Sequence, residues 1–394
     1  MSGASDDSGE IPAPRENPDL HGHDGAEHLL RDSFDAGRLA HAWLISGPEG
    51  IGKATLAYRF ARYVLSGGNA APEAEASAGA GLFGDDLLPA DIPDSQEEQG
   101  PLYVPPHHPV FKRVASGGHS DLMSVERTVN EKTGKLRTEI VVDDIRLVGN
   151  FFHHTAGEGG WRVVVIDCAD EMNVNAANAV LKVLEEPPAK ALLLLVSHNP
   201  GRLLPTIRSR CRKLALQPLG VDSVAALLGH WRPELDVQDT RSLAALADGS
   251  PGRALALAGE GGLELYRDML ALLETLPRLD VPALHAFGGR LAKSGADEAF
   301  HTASGLLRWW LARMILNAAT GGGRETQAGG GRMTQAGSAE QALMDRLCAV
   351  VNLDRWFEVW EKINHLLSRA DQVNLDRKQV VLNVFLTLED AVRS

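Results

Sequence analysis

The sequence predicts a parallel α/β domain built around a phosphate-binding loop, followed by a remainder that is all helix. Three observations carry that prediction. A glycine loop over 46–53 lies between an apolar run ending at Ile45 and an amphipathic segment starting at Lys53. Two further apolar runs, 162–166 and 191–196, flank a helical pattern. Strand–helix–strand at this spacing requires a parallel sheet. Beyond about Leu219 no segment reads as a strand.

Residues 1–20 are polar and contain proline, the composition of a disordered arm. A helix over 26–36 precedes a strand over 42–46. Gly47, Gly50 and Gly52 then let the backbone curl so that several N–H groups point at one anion. Lys53 adds a positive charge at the mouth of the next helix, where the dipole already favours phosphate. That helix, 53 to about 65, puts Leu56, Phe60 and Val64 on one side. The pattern GxxxxGK[ST] next calls for a hydroxyl to hold Mg²⁺. Ala54 stands in that place, and Thr55 comes one residue later on a face turned by about 100°. The loop reads as able to hold phosphate and poorly able to position the metal for hydrolysis.

Between Arg62 and Lys112 there is no Lys or Arg, while eight acidic residues from Glu73 to Glu98 accumulate among Ala, Gly and Pro. This predicts an acidic, mobile, solvated insertion at about 66–111. A helix is expected over 142–153. The strand 162–166 leads into Asp167, an acid placed to orient Mg²⁺ or its water. In ATPases of this layout the next residue is commonly a Glu that polarises the attacking water; here it is Cys168. Asp170 and Glu171 lie past the strand end and read as caps of the following helix, 174–184, which stops before Pro187-Pro188. After the 191–196 strand comes Ser209-Arg210-Cys211. Arg210 is either an ordinary surface cation or, in an oligomeric ATPase fold, a group that stabilises charge on a phosphoryl in a neighbouring subunit. Gly249–Ala254 resembles a helix start with Arg253 aimed back toward the nucleotide. Residues 220–258 suggest a small helical domain, and 262–394 helices with leucine and tryptophan stripes, broken by a Gly-rich segment over 319–337. Trp309, Trp310, Trp356 and Trp360 at helical spacing read as core or subunit interface.

Composition narrows the function classes. At 394 residues the chain suggests two or three domains. It has no apolar run long enough to span a bilayer and no signal-peptide pattern, so no membrane and a cytoplasmic location are expected. Cys168, Cys211 and Cys348 are far apart and form no CxxC pair, which argues against both a disulfide framework and a zinc site. The adjacent pairs His107/His108 and His153/His154 lack the i,i+4 spacing of helical metal ligands. A net charge of −13 argues against gripping nucleic acid alone with a broad basic face.

Four strings together carry a resemblance: His41-Ala42-Trp43-Leu44-Ile45, Leu181-Lys182-Val183-Leu184-Glu185-Glu186-Pro187-Pro188, Ile207-Arg208-Ser209-Arg210-Cys211, and Gly249-Ser250-Pro251-Gly252-Arg253. With them the chain resembles the clamp-loader subunits of the AAA+ superfamily, and most specifically the delta-prime family of bacterial DNA polymerase III. The resemblance covers roughly residues 20–260; beyond that it is a matter of length and helicity. It implies an AAA+ nucleotide-binding-type α/β domain at 21–218, a helical lid at 219–260 and a helical collar for oligomerisation at 261–394. It further implies a ring segment that opens the sliding clamp and places it on primer–template DNA, with motor (gamma/tau) and delta subunits as partners. In that family the delta-prime subunit is the stationary end, and Arg210 would be its arginine finger in the ATP site of the adjacent motor. Gly47, Gly50, Gly52, Lys53, Thr55, Asp167 and Arg253 would be the nucleotide contacts, with binding of ATP or ADP left open. The acidic insertion stands where many relatives carry a cysteine zinc module, so no zinc is expected. Ala54 and Cys168 set the chain apart from the motors, and hydrolysis of its own is not expected. The alternative is an active AAA+ ATPase, a motor subunit or helicase loader, which Ser or Thr at 54 and Glu at 168 would have favoured. A stand-alone nucleotide sensor would leave Ser-Arg-Cys without a role.

Overall fold

Strands rich in Val, Ile and Leu on both faces can only sit inside a covered sheet, and the two most apolar runs lie there. In the computed structural model β3 (Arg162–Ile166) and β4 (Ala191–Ser197) are central strands, and Val163, Val164, Val165 and Ile166 are all fully buried. The structure describes residues 12–68, 100–129, 134, 136–153, 160–319, 335–373 and 375–393. It divides into two units, Met1–Pro218 and Leu219–Ser394.

The first unit holds α1 (Asp24–Asp35), β1 (Ala42–Ser46), α2 (Lys53–Leu65), α3 (Pro109–Ala115), β2 (Leu122–Val125), α4 (Val142–His153), β3, α5 (Val174–Glu185), β4, α6 (Pro205–Arg210) and β5 (Arg212–Ala215). The strand order is β2-β3-β4-β1-β5, with every neighbouring pair parallel. Side chains alternate between faces. Trp43, Ile45, Val163, Val165, Leu192 and Leu194 pack under α1, α2 and α3, while Leu44, Val164, Ile166, Leu193 and Leu195 pack under α4, α5 and α6. This is the parallel α/β domain built around a glycine loop that the sequence led us to expect. Its glycine loop leaves the carboxyl end of β1, where open parallel sheets bind their ligands.

Two expected boundaries shift. Residues 12–20, assigned to a disordered arm, are held against α2. Arg62 donates to the carbonyl oxygens of Arg15 (3.0 Å) and Asn17 (2.7 Å), and Arg59 to that of Pro18. Arg59 also meets Glu27 at 2.6 Å, and both side chains are at most 2% exposed. Arg62 stacks 4.5 Å over Phe111, and burial together with the Arg59 charge pushes its pKa down to about 9. The arm is poor in apolar residues, Leu20 at its end being one that packs against the core, so composition could not reveal arginines that anchor it by its backbone; residues 1–11 lie outside the described residues. The insertion expected at 66–111 ends earlier: Leu102 and Val104 are buried and α3 starts at Pro109, its first turn capped by His108. Residues 69–99 lie outside the described residues.

The second unit is helical throughout its described residues: α7 (Val221–Trp231), α8 (Val237–Leu246), α9 (Pro251–Gly259), α10 (Gly262–Glu274), α11 (Val281–Leu291), α12 (Asp297–Ala319), α13 (Gln335–Val350), α14 (Leu353–Val373) and α15 (Arg377–Arg393). One apolar core runs through it from Leu219 to Val392. Trp310 and Trp356 are at its centre, and Trp309 and Trp360 pack against it partly buried. Most of the Gly-rich segment, residues 320–334, lies outside the described residues. Among the described residues no helix is long and apolar enough to cross a membrane.

Candidate functional site

The loop between β1 and α2 needs its glycines. Gly47, Gly50 and Gly52 have φ of +150°, +72° and +97°. A Cβ on Gly47 would stand 2.7 Å from the Leu216 carbonyl oxygen, and one on Gly52 2.9 Å from Leu20 Cδ1. His23, itself buried, places Nε2 2.6 Å from the Ile51 carbonyl oxygen and pins the loop from the N-terminal side. Burial lowers the His23 pKa, so the ring is neutral and donates through Nε2.

Lys53 is 3% exposed and donates its ammonium to the Pro48 carbonyl. Burial lowers its pKa, and the negative charges of Asp167, Glu49 and Asp170 pull it back up; α2 starts past the carboxyl end of β1, two places along the parallel sheet from β3. The structure thus brings Gly47, Gly50, Gly52, Lys53 and Asp167 together. A nucleotide's phosphates fit this set: no acid stands in the first turn of α2, no side chain caps its N-terminus, and Lys53 supplies charge. The metal side fits poorly. Position 54 has no hydroxyl, and Thr55 is buried along α2, 8% exposed. Among the described residues no cluster of His, Cys, Asp and Glu could hold a metal ion.

Cys168 sits in the left-handed region at φ 54°, its N–H donating to Asp167 Oδ1 at 2.9 Å. Its Sγ lies 3.3 Å from His198 Nε2. Burial, reinforced by Asp167, Glu171 and Asp170, pushes the thiol up to about 12. A neutral thiol cannot serve as the base that a glutamate would be. The expected capping role of Asp170 and Glu171 is corrected. Asn173 caps α5, accepting the Ala176 N–H at 2.9 Å. Asp170 instead accepts the N–H groups of His198 (3.0 Å) and Asn199 (3.1 Å), tying the turn after β3 to the end of β4. Glu171 pairs with Arg127 at 2.9 Å.

Arg210 is the last residue of α6, and the next strand begins at once. In the parallel register Trp43 faces Arg212 and Ser46 faces Ala215. Arg210 therefore lies at the amino-terminal end of the strands, while the glycine loop leaves their carboxyl-terminal end. Three residues of strand alone separate the two by about 10 Å. The Arg210 side chain is 38% exposed, with Nη2 2.8 Å from Glu185 Oε1 and Nη1 3.2 Å from the Thr206 carbonyl oxygen. Arg253 belongs to the second unit. Its N–H donates to Ser250 Oγ at 3.1 Å, and its guanidinium lies 5.7 Å over the Trp309 ring. Sequence reasoning missed His23, His198 and Glu185 as parts of these sites. Only Glu185 had a signal, because it lies in the Leu-Glu-Glu-Pro-Pro string.

A family model described as DNA polymerase III, delta subunit matches residues 98–220. The chain is 36% identical over 244 residues to DNA polymerase III subunit delta' of Pseudomonas aeruginosa, covering 62% of this chain and 63% of that one, just under two thirds of its length. It is 32% identical over 290 residues to the delta' subunit of Escherichia coli, covering 73% and 72%. With DNA polymerase III subunit tau of Salmonella typhimurium the identity is 28% over 243 residues, covering 60% of this chain and 32% of that protein.

Proposed function

Because the chain belongs to the delta-prime family of DNA polymerase III subunits, we propose that it is the stationary, non-hydrolysing subunit of a replicative clamp loader. In this reading it works in the cytoplasm with motor (gamma/tau) and delta subunits, and through them with the sliding clamp and primer–template DNA. Residues 219–260 act as its lid and 261–394 as its collar in the assembly.

The observation that carries the reading is the placement of Arg210. It is exposed at the end of the sheet opposite its own glycine loop, where it can serve only a phosphate held by another subunit. A planar guanidinium there stabilises charge that builds on a transferring γ-phosphoryl, an effect worth about 10³–10⁵ at a single site. ATP or ADP on this chain would supply phosphates to the N–H groups of Gly47, Gly50 and Gly52 and to Lys53, with Thr55 and Asp167 on the same unit. Ala54 offers the metal no hydroxyl and Cys168 offers water no base, so a nucleotide held here would stay intact and stiffen the fold.

The test is a complex reconstituted with motor and delta subunits, assayed for ATPase stimulated by DNA and clamp. Arg210→Ala should leave the complex assembled and its turnover clearly depressed, diluted because the other sites do not use this arginine. Lys53→Ala should be much milder. An unchanged rate for Arg210→Ala with an abolished rate for Lys53→Ala would reverse the assignment and make the chain a motor.

A further inference from the structure

The two strings that most specify this chain, Leu-Glu-Glu-Pro-Pro and Ser-Arg-Cys, meet in space through one ion pair. Glu185 is the last residue of α5 and Arg210 the last of α6, and Nη2–Oε1 is 2.8 Å. Each partner sits beside a buried anchor. Leu184 is 3% exposed, and Ile207 and Cys211 are 0% and 7%; all three belong to one core cluster. Pro187-Pro188 ends α5 immediately afterwards and fixes where its carboxyl end lies.

An acid at a helix carboxyl terminus is electrostatically misplaced, since the dipole there already carries partial negative charge. Glu185 is followed by Glu186, so the end of α5 is doubly acidic. A helix end of this kind favours a nearby cation, and Arg210 is the cation it meets. The guanidinium pairs with the Glu185 carboxylate through Nη2 and donates from Nη1 to the Thr206 carbonyl. Neither contact involves the Nε–H, and each Nη carries a second N–H. Two fixed contacts on one edge also hold the plane of a side chain that otherwise has many rotamers.

Resting on the arginine-finger reading above, we propose that Glu185 is a positioning residue for Arg210. It holds the guanidinium in the orientation in which its free edge meets the neighbouring subunit's γ-phosphate. Glu185 touches no phosphate itself.

The test uses the same reconstituted complex and compares Glu185→Ala, Glu185→Gln, Arg210→Ala and the Glu185→Ala/Arg210→Ala double variant. A half-exposed ion pair contributes little in itself. Glu185→Ala should therefore lower stimulated kcat by a part of the loss that Arg210→Ala gives in the same complex, where both losses are diluted by the sites that do not use this arginine. The KM for ATP and the assembly of the complex should not change. Glu185→Gln, whose amide oxygen still accepts from Nη2, should recover most of the rate. The double variant should be no slower than Arg210→Ala, because Glu185 has nothing left to orient. If Arg210→Ala is depressed but Glu185→Ala matches or exceeds the native rate, the positioning role is overturned and the finger stands. A double variant slower than Arg210→Ala also overturns it, since Glu185 would then act elsewhere. An unaffected Arg210→Ala overturns both readings together.

Discussion

Glu27→Ala should strip the first unit of a large share of its stability, and the reason lies in the buried pair with Arg59. The two side chains are 2% and 1% exposed and their charged atoms are 2.6 Å apart. Deleting the carboxylate leaves a guanidinium in the interior beside a second one, Arg62, with the Pro18 carbonyl and the Tyr103 ring among its remaining contacts. Removing one partner of a buried pair costs about 3–5 kcal/mol. The Pro18 bond and water entering the vacated space place the expectation near the lower end, at about 3 kcal/mol. Against a domain stability of about 5–15 kcal/mol, that is a severe loss. The backbone of residues 12–20 hangs on the same two arginines, so the arm should loosen first. The assay is urea unfolding of the full chain, with amide hydrogen exchange to resolve the first unit from the second. The control is Glu27→Ala/Arg59→Met, which replaces the pair by apolar volume. Such replacements are often neutral or stabilising, so the double variant should recover at least about 2 kcal/mol. A Glu27→Ala protein within about 1 kcal/mol of native, or a double variant no better than the single one, would refute the reasoning.

Three further outcomes follow from the same geometry. Gly47→Ala should lower stability by about 1–3 kcal/mol, because its Cβ would stand 2.7 Å from a backbone oxygen at a φ of +150°; unfolding by denaturant measures it, and a silent substitution contradicts it. His23 has its pKa lowered by burial, so the unfolded chain takes up its proton first and its contribution is intact above its ordinary value of 6.5 and lost as pH falls through the lower folded value. The first unit should therefore melt at lower temperature at pH 5 than at pH 7, and His23→Gln should flatten that slope; an unchanged slope counts against the His23–Ile51 contact. The isolated chain should turn over ATP negligibly, since neither a hydroxyl at 54 nor a carboxylate at 168 is present; motor-like turnover by the pure chain would show that some other group does the work.

What could be read in advance follows burial. The elements 42–46, 53–65, 142–153 and 162–166 have in the structure the bounds that the sequence suggested. They are central strands or helices whose apolar periodicity is long and clean. The edge strands were not legible. Leu122–Val125 carries Ser124, and Arg212–Ala215 exposes three of its four residues, so neither shows the pattern of a covered strand. The glycine loop could be read because a backbone requirement leaves a fixed spacing. The contacts that complete the sites could not. His23 with Ile51, Cys168 with His198 and Glu185 with Arg210 are 25 to 30 residues apart, and only the fold decides that they meet.

The strand register gives the α/β domain a direction. The glycine loop emerges at one end of the sheet and Arg210 at the other. On the arginine-finger reading proposed above, copies of such a unit join head to tail, each receiving an arginine from the next. A row of working units therefore always leaves its final receiver short of one arginine. A link that gives at one end and has lost the working parts at the other supplies that arginine and creates no new vacancy. In such a row the missing hydroxyl and carboxylate act as punctuation: they fix where the row stops without leaving its last active member idle.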